Sequence, residues 1–161
     1  FGLFLFSSSL KKLISQITIF TIAHSITLIF VSLSLIKINP QIVEPIIALS
    51  IVYIGLENIF KKYIKEYLRY VVILFFGLLH GLGFALVLSD IGYRSSDLLI
   101  NLLSFNLGIE VAQISIVLVL YLLIALNFAK NKNYRIFFQV PSSILISSIG
   151  LYWFFERINF I

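Results

Sequence analysis

The sequence contains no cysteine and little charge, and each shortage excludes a class of protein. Without cysteine, the 161 residues can form no disulfide, no thiolate metal site and no cysteine nucleophile. Charged residues make up 12% of the chain, about half their usual share in a soluble domain. Hydrophobic residues make up 60%, and the mean hydropathy is +1.07. This balance excludes an ordinary water-soluble domain.

Methionine is also absent, and the chain begins at Phe1. We therefore expect residues 1–10 to be the remainder of a helix that begins upstream. These residues have neither a positively charged flank nor a small-residue cleavage site, so they are not typical of a signal peptide.

The chain does contain a succession of apolar runs, each near or above the ~18–20 residues that cross a bilayer. They predict an all-α, polytopic transmembrane bundle with about five complete spans and a truncated first span, in a single domain over residues 1–161. Pro40 and Pro45 are expected to bracket one connector. The run over 98–129 exceeds one crossing, so it should be tilted or protrude. The predicted spans are 1–10 (partial), 13–36, 42–60, 70–89, 98–129 and 136–155.

The net charge of +5 comes from short connectors and not from a basic face interleaved with aromatic residues. Nucleic acid is therefore not a predicted partner. Nine of the twelve Lys and Arg fall in alternate connectors, which the positive-inside rule assigns to the cytoplasm. We predict that loops 61–69 and 130–135 are cytoplasmic. The nine residues are Lys11, Lys12, Lys61, Lys62, Lys65, Arg69, Lys130, Lys132 and Arg135.

Three ionisable residues lie near the middle of predicted spans. An ionisable group at that depth costs a few kcal/mol, so it calls for a partner, a water-filled cavity or a function. His24 and His80 are at the centres of their spans, and Glu110 reaches a comparable depth if its helix enters near Leu98. Imidazole and carboxylate are suitable ligands for Ni²⁺, Co²⁺ or Zn²⁺. We predict that His24, His80 and Glu110 form a metal site.

Other polar residues accompany these three. Asn106, Glu110 and Gln113 are spaced i, i+4 and i+7, on one helical stripe that should face inward. Such groups also hold membrane helices together, at about 0.6–2 kcal/mol per contact, and this structural role stays open for all of them. Glu57 is either a second gate or an interfacial cap. The predicted supporting residues are Asn106, Gln113, Ser25, Thr21 and Glu57.

Five pieces of the sequence, in order, resemble the HupE/UreJ family of bacterial membrane proteins, which is associated with hydrogenase and urease accessory functions. The resemblance implies a nickel or cobalt permease of the bacterial cytoplasmic membrane, with metalloenzyme maturation proteins among its partners. It places His24, His80 and Glu110 at the family's intramembrane polar positions. The family also carries an Asp-His pair in its first span, and residues 1–10 contain none. The pieces are FTIAHSITL (20–28), VEPIIALS (43–50), FGLLHGLGFA (76–85), FNLGIEVAQ (105–113) and GLYW (150–153).

Three functions fit these observations. The leading hypothesis is a permease that moves a divalent transition-metal ion inward, without its own ATPase because the chain has no nucleotide-binding motif. The second is an intramembrane metal-dependent hydrolase in which zinc activates water, although the chain has no His-Glu-x-x-His or Gly-x-Ser-x-Gly pattern. The third is a non-catalytic membrane assembly subunit. We predict a transporter rather than an enzyme, with no catalytic residue, and with the lipid bilayer and a metal ion as partners.

Overall fold

Every regular element that the structure describes is helical. The computed structural model describes residues 2–3, 9–60, 66–90, 98–125 and 133–158. Five stretches of these residues are long and apolar enough to cross a membrane, which confirms the predicted helical, multi-pass membrane protein. The long helices are α1 (Leu10–Ser32), α2 (Pro40–Ile59), α3 (Glu66–Asp90), α4 (Leu98–Leu120) and α5 (Val140–Ile158).

Short π-helical segments adjoin the last two helices. Tyr121–Ala125 continues α4, and Arg135–Gln139 leads into α5. The predicted span over 98–129 is therefore helical as far as residue 125, and its remaining residues lie outside the described ranges. Of the predicted partial span 1–10, residues 1 and 4–8 also lie outside them.

Three helix ends differ from the predicted span boundaries. Helix α1 ends at Ser32 because Ser34, with φ at 59°, closes it through hydrogen bonds from the backbone N–H of Ser34 and Leu35 to carbonyls of the last turn. Helix α2 begins at Pro40, where the Asn39 side chain accepts a hydrogen bond from the Gln41 N–H, so Pro45 lies inside the helix. Helix α3 begins at Glu66, so Arg69 belongs to the helix and not to a connector.

Small residues join the helices into two close pairs. In the α1–α3 pair, a Cβ at Gly77 would lie 2.6 Å from the Phe20 carbonyl oxygen, and one at Gly81 would collide with the His24 carbonyl oxygen. In the α2–α5 pair, a Cβ at Gly150 would lie 3.0 Å from the Val52 nitrogen. Small residues let the backbones of two membrane helices approach closely. Dispersion forces then stabilise the contact, because the hydrophobic effect does not drive helices together in lipid.

Helix α4 packs on α1 and runs antiparallel to it. Near one end of the bundle Leu102 packs with Leu28 of α1 and Ala85 of α3. Near the other end Val117 packs with Leu13 and Ile17. Large apolar side chains of α4 point outward, as expected for a helix that faces lipid. Exposed examples are Ile100, Leu107, Val111 and Ile116.

We name the two ends of the bundle for the residues that mark them. At the basic end, α1 begins, α2 ends and α3 begins, with Lys11, Lys12 and Arg69. At the Glu44 end, α1 ends, α2 begins with Glu44 in its second turn, and α5 ends with Arg157 in its last turn.

Candidate functional site

The α1–α3 contact brings the two histidines together. Gly81 follows His80 directly and packs against the backbone of His24, so neither helix can rotate far without a collision. The Phe20 ring lies between them, with its centroid 6.1 Å from that of His24 and 5.3 Å from that of His80. The structure therefore places both predicted ligands in contact with one phenylalanine ring near the middle of the bundle.

Both histidines line a cavity of about 480 Å³. Its walls come from all five long helices, and residues from the Glu44-end halves of α2, α3 and α5 place it in that half of the bundle. Most of the lining surface is apolar, but seven of the fourteen lining residues carry polar side chains. They are Thr21, His24, Glu44, His80, Gln113, Trp153 and Arg157. Polar groups that converge on a largely apolar cavity are typical of a binding site for a small ligand or ion.

A backbone carbonyl orients the His80 ring. Nδ1 of His80 lies 2.8 Å from the carbonyl oxygen of Phe76, one helical turn earlier. A carbonyl oxygen only accepts, so Nδ1 carries the proton in this hydrogen bond. The lone pair of Nε2 is then available to a ligand. Metal-binding histidines are commonly held in this way by a carbonyl partner.

His24 is buried without a hydrogen bond to either ring nitrogen. Its side chain is 7% exposed, and within the described ranges neither Nδ1 nor Nε2 has a partner. Its ring contacts are aromatic, with Phe20 on one side and Phe84 at 5.9 Å on the other. An unpaired polar group in this position costs free energy, so its presence points to a ligand, an ion or a water molecule.

Glu110 lies between α1 and α4 and does not line the cavity. Its Oε1 accepts a hydrogen bond of 2.7 Å from the Thr18 hydroxyl. One turn further along α4, Gln113 accepts a longer bond of 3.4 Å from Thr21 and does line the cavity. The polar stripe of α4 thus faces α1. Within the described residues no group of three or more His, Cys, Asp or Glu side chains is arranged to hold a metal ion.

The remaining supporting residues lie around this site. Asn106 is 4% exposed, and its side-chain nitrogen and oxygen have no hydrogen-bond partner among the described residues. Ser25 donates to the carbonyl oxygen of Thr21 within α1, at 2.7 Å, and lies outside the cavity lining. Thr27 donates across the helix pair to the Leu78 carbonyl oxygen at 2.8 Å.

Glu57 lies far from the histidines, at the basic end. Its Oε1 is 3.2 Å from Nη1 of Arg69, and both side chains are 3% exposed. The neighbouring Asn58 is fully buried and donates to the Gly2 carbonyl oxygen at 2.9 Å. Since Arg69 was predicted to lie in a connector, the sequence did not reveal this ion pair. The sequence did contain a signal for this pair. A basic residue lies within one turn of the start of a span, and an acidic residue lies at the end of the preceding span.

The sequence prediction also gave no site role to the residues that line the cavity nearest the Glu44 end. Nη1 of Arg157 lies 2.6 Å from Oε2 of Glu44, which joins the end of α5 to the start of α2. Trp153, one turn before Arg157, lines the cavity below this pair. Opposite charges near the ends of two spans that meet at one membrane face could have suggested the pairing.

These features can be compared with known proteins. A sequence profile described as HupE / UreJ protein matches residues 1–157. The chain belongs to the HupE/UreJ family. This confirms the resemblance of the five sequence pieces and connects the protein with nickel or cobalt accessory or transport roles. No curated protein and no solved structure matches the chain significantly.

Proposed function

We propose that this HupE/UreJ protein is a permease that moves a divalent transition-metal ion, nickel or cobalt, across the bacterial cytoplasmic membrane. The observation that carries the proposal is the pair His24 and His80 on one cavity, with the His24 nitrogens unpaired and Nε2 of His80 available. Two neutral imidazoles suit nickel and cobalt better than they suit magnesium or calcium, which prefer oxygen ligands.

Two imidazoles are also a moderate ligand set. A transported ion must leave the protein again, so a closed cage of four strong ligands would hold it too tightly. Thr21 and Gln113 on the same cavity offer oxygen ligands that an ion can exchange. Protonation of an imidazole competes with the ion for the same lone pair and supplies a means of release.

The ion path is proposed to run inward from the Glu44 end. The basic end carries Lys11, Lys12 and Arg135 among the described residues, which favours a cytoplasmic position for this end. Loops 61–69 and 130–135 would then be cytoplasmic, as predicted from the sequence. Because the chain is free of cysteine, single cysteines at positions 63 and 131 can test this. An impermeant thiol reagent should reach them only from the cytoplasmic side.

Glu110 has two proposed roles that one substitution separates. As a metal ligand, Glu110 must be anionic, so Glu110→Gln should abolish metal uptake. Its hydrogen bond to Thr18 favours a second role in joining α4 to α1, as in a non-catalytic assembly subunit, and glutamine can accept the same bond. If Glu110→Gln cells accumulate metal as wild-type cells do, at equal membrane abundance, Glu110 serves packing alone.

Flux must be measured separately from binding in this experiment. Cells expressing the full-length protein should accumulate radioactive nickel or cobalt beyond the amount bound by the protein. Ser115→Ala is the matched control, because Ser115 lies on α4, is exposed and bonds only to a carbonyl of its own helix. Stoichiometric binding without accumulation would favour the metal-dependent hydrolase instead.

A further inference from the structure

A second cavity of about 190 Å³ lies on the other side of Phe20 and His80 from the first. The two cavities share one wall, because three side chains line both of them. They are Phe20, Ile51 and His80.

Helix α2 shows how the two cavities follow one another. Ile47 lines the first cavity only, Ile51 lines both, and Ile54 lines the second only. Their spacing of i, i+4 and i+7 places them on one stripe of the helix. Because α2 runs from the Glu44 end to the basic end, the second cavity continues the first toward the basic end.

The division between the cavities is apolar apart from one side chain. The Phe20 and His80 rings meet edge to face at 5.3 Å, and Ile51 completes the shared lining from α2. Phe20 and Ile51 offer no group that can replace the water around an ion, so they form a barrier to it. His80 is the one polar member, and its bond to Phe76 leaves Nε2 without the proton.

We propose that Phe20 and Ile51 form a partition within one ion path, and that His80 is the ligand an ion meets on both sides of that partition. The proposal rests on the proposed permease function and adds to it a route and a selective constriction. An ion bound at the first cavity passes the Phe20 ring while His80 remains within reach. Ions that bind imidazole poorly meet only the apolar barrier.

Thiol labelling tests the partition without requiring transport. Ile47→Cys and Ile54→Cys are made separately in the full-length protein. Each variant is prepared in vesicles of both orientations and labelled with a small impermeant thiol reagent. Cys at position 47 identifies the side from which the first cavity opens. From that side position 54 should label slowly, and Phe20→Ala should raise its rate by about tenfold or more, which corresponds to a barrier lower by about 1.4 kcal/mol.

Phe84→Ala is the matched control, because Phe84 lines the first cavity but not the second. It removes the same ring and should leave labelling at position 54 slow. Unchanged labelling at position 47 shows that the Phe20→Ala variant has kept the fold. Phe20→Leu should give an intermediate labelling rate at position 54. The partition is wrong if position 54 labels as fast as position 47 in the parent, or if Phe20→Ala changes nothing.

Metal protection tests the role of His80. Nickel should slow labelling at position 54 in the Phe20→Ala background, and adding His80→Ala should remove that protection. Absent protection, or protection that persists without His80, would contradict its assignment. A wild-type protein that moves no metal but shows the expected labelling would overturn the permease function and leave the partition standing.

Discussion

The two ends of the bundle each carry a Glu–Arg ion pair, in opposite surroundings. At the Glu44 end, the side chains of Arg157 and Glu44 are 48% and 34% exposed above an open cavity. At the basic end, Arg69 and Glu57 are each 3% exposed. The same two residue types therefore form a solvent-exposed contact at one end and a buried link between α2 and α3 at the other.

The basic end is also closed by hydrogen bonds to the last turn of α2. Arg135 donates to the Ile59 carbonyl oxygen at 3.2 Å, and Gln139 donates to that of Asn58 at 3.3 Å. These carbonyls have no partner within the helix itself, so the π-helical segment before α5 satisfies them. The Glu44 end has a cavity where the basic end has these contacts. This asymmetry supports the proposed permease function, with the first cavity nearer the Glu44 end.

Breaking the buried pair should have the largest effect. Glu57→Leu or Arg69→Met alone separates the members of the buried ion pair and should lower the free energy of unfolding by about 3–5 kcal/mol. The double variant Glu57→Leu/Arg69→Met should recover most of this loss, because it removes both charges of the pair. Denaturant unfolding in detergent measures all three. Single variants no less stable than the double variant would show that the pair does not close the basic end.

Widening the α1–α3 contact should have the next largest effect. Gly81→Ala forces a methyl group against Thr27 and the His24 carbonyl oxygen, and such overpacking costs about 1–3 kcal/mol. Gly108→Ala is the matched control on α4, since nothing lies within 4 Å of its added methyl group. Thermal unfolding should therefore separate two identical substitutions. Equal melting temperatures for both variants would mean that the histidines are not held by this contact.

Removing the Thr18 hydroxyl should have a smaller effect. Thr18→Val deletes the donor to Glu110, and interhelical hydrogen bonds in membranes contribute about 0.6 kcal/mol on average, with a maximum of about 1.7 kcal/mol. Ser115→Ala, which removes a bond within one helix, is the control. Unfolding in detergent gives the difference. A loss as large as that of Arg69→Met would place Glu110 among the main structural contacts.

Breaking the exposed pair should have the smallest effect. Arg157→Gln should change the free energy of unfolding by about 0–1 kcal/mol, because water screens the pair and both side chains keep their freedom. Raising the ionic strength should shrink the difference further. A salt series of unfolding curves checks this. A large loss that is insensitive to salt would remove the contrast between the two ends.

Much of the fold could be predicted from the sequence because the bilayer sets the length of each apolar run. The spacing of charged residues also predicted that His24 and His80 lie near the middle of their spans, and both lie near the middle of α1 and α3. Hydropathy does not say which helices pair, since lipid tails are as apolar as leucine. The pairing of α1 with α3 depends on Gly77 and Gly81, whose close approach only the three-dimensional arrangement reveals.

The position of Glu110 shows a second limit. The sequence predicted the depth of the histidines for Glu110, but the residue meets Thr18, six residues before His24 in α1. Sequence position also does not fix the direction of a side chain around the helix axis. The Thr18 hydroxyl binds its carboxylate between α1 and α4, while Gln113, one turn away, lines the cavity. Arg69 was predicted to lie in a connector but is buried in the bundle. A basic residue near the end of a span can point inward when it forms an ion pair with a buried carboxylate such as that of Glu57.

Metal flux through the purified protein tests the central claim most directly. Full-length wild-type protein, Ser115→Ala, His24→Ala and His80→Ala are reconstituted into vesicles at equal abundance, and nickel or cobalt accumulation inside is measured over time. The account predicts accumulation with wild type and Ser115→Ala, and none above protein-free vesicles with either histidine variant. Equal accumulation by His24→Ala, His80→Ala and wild type would contradict it.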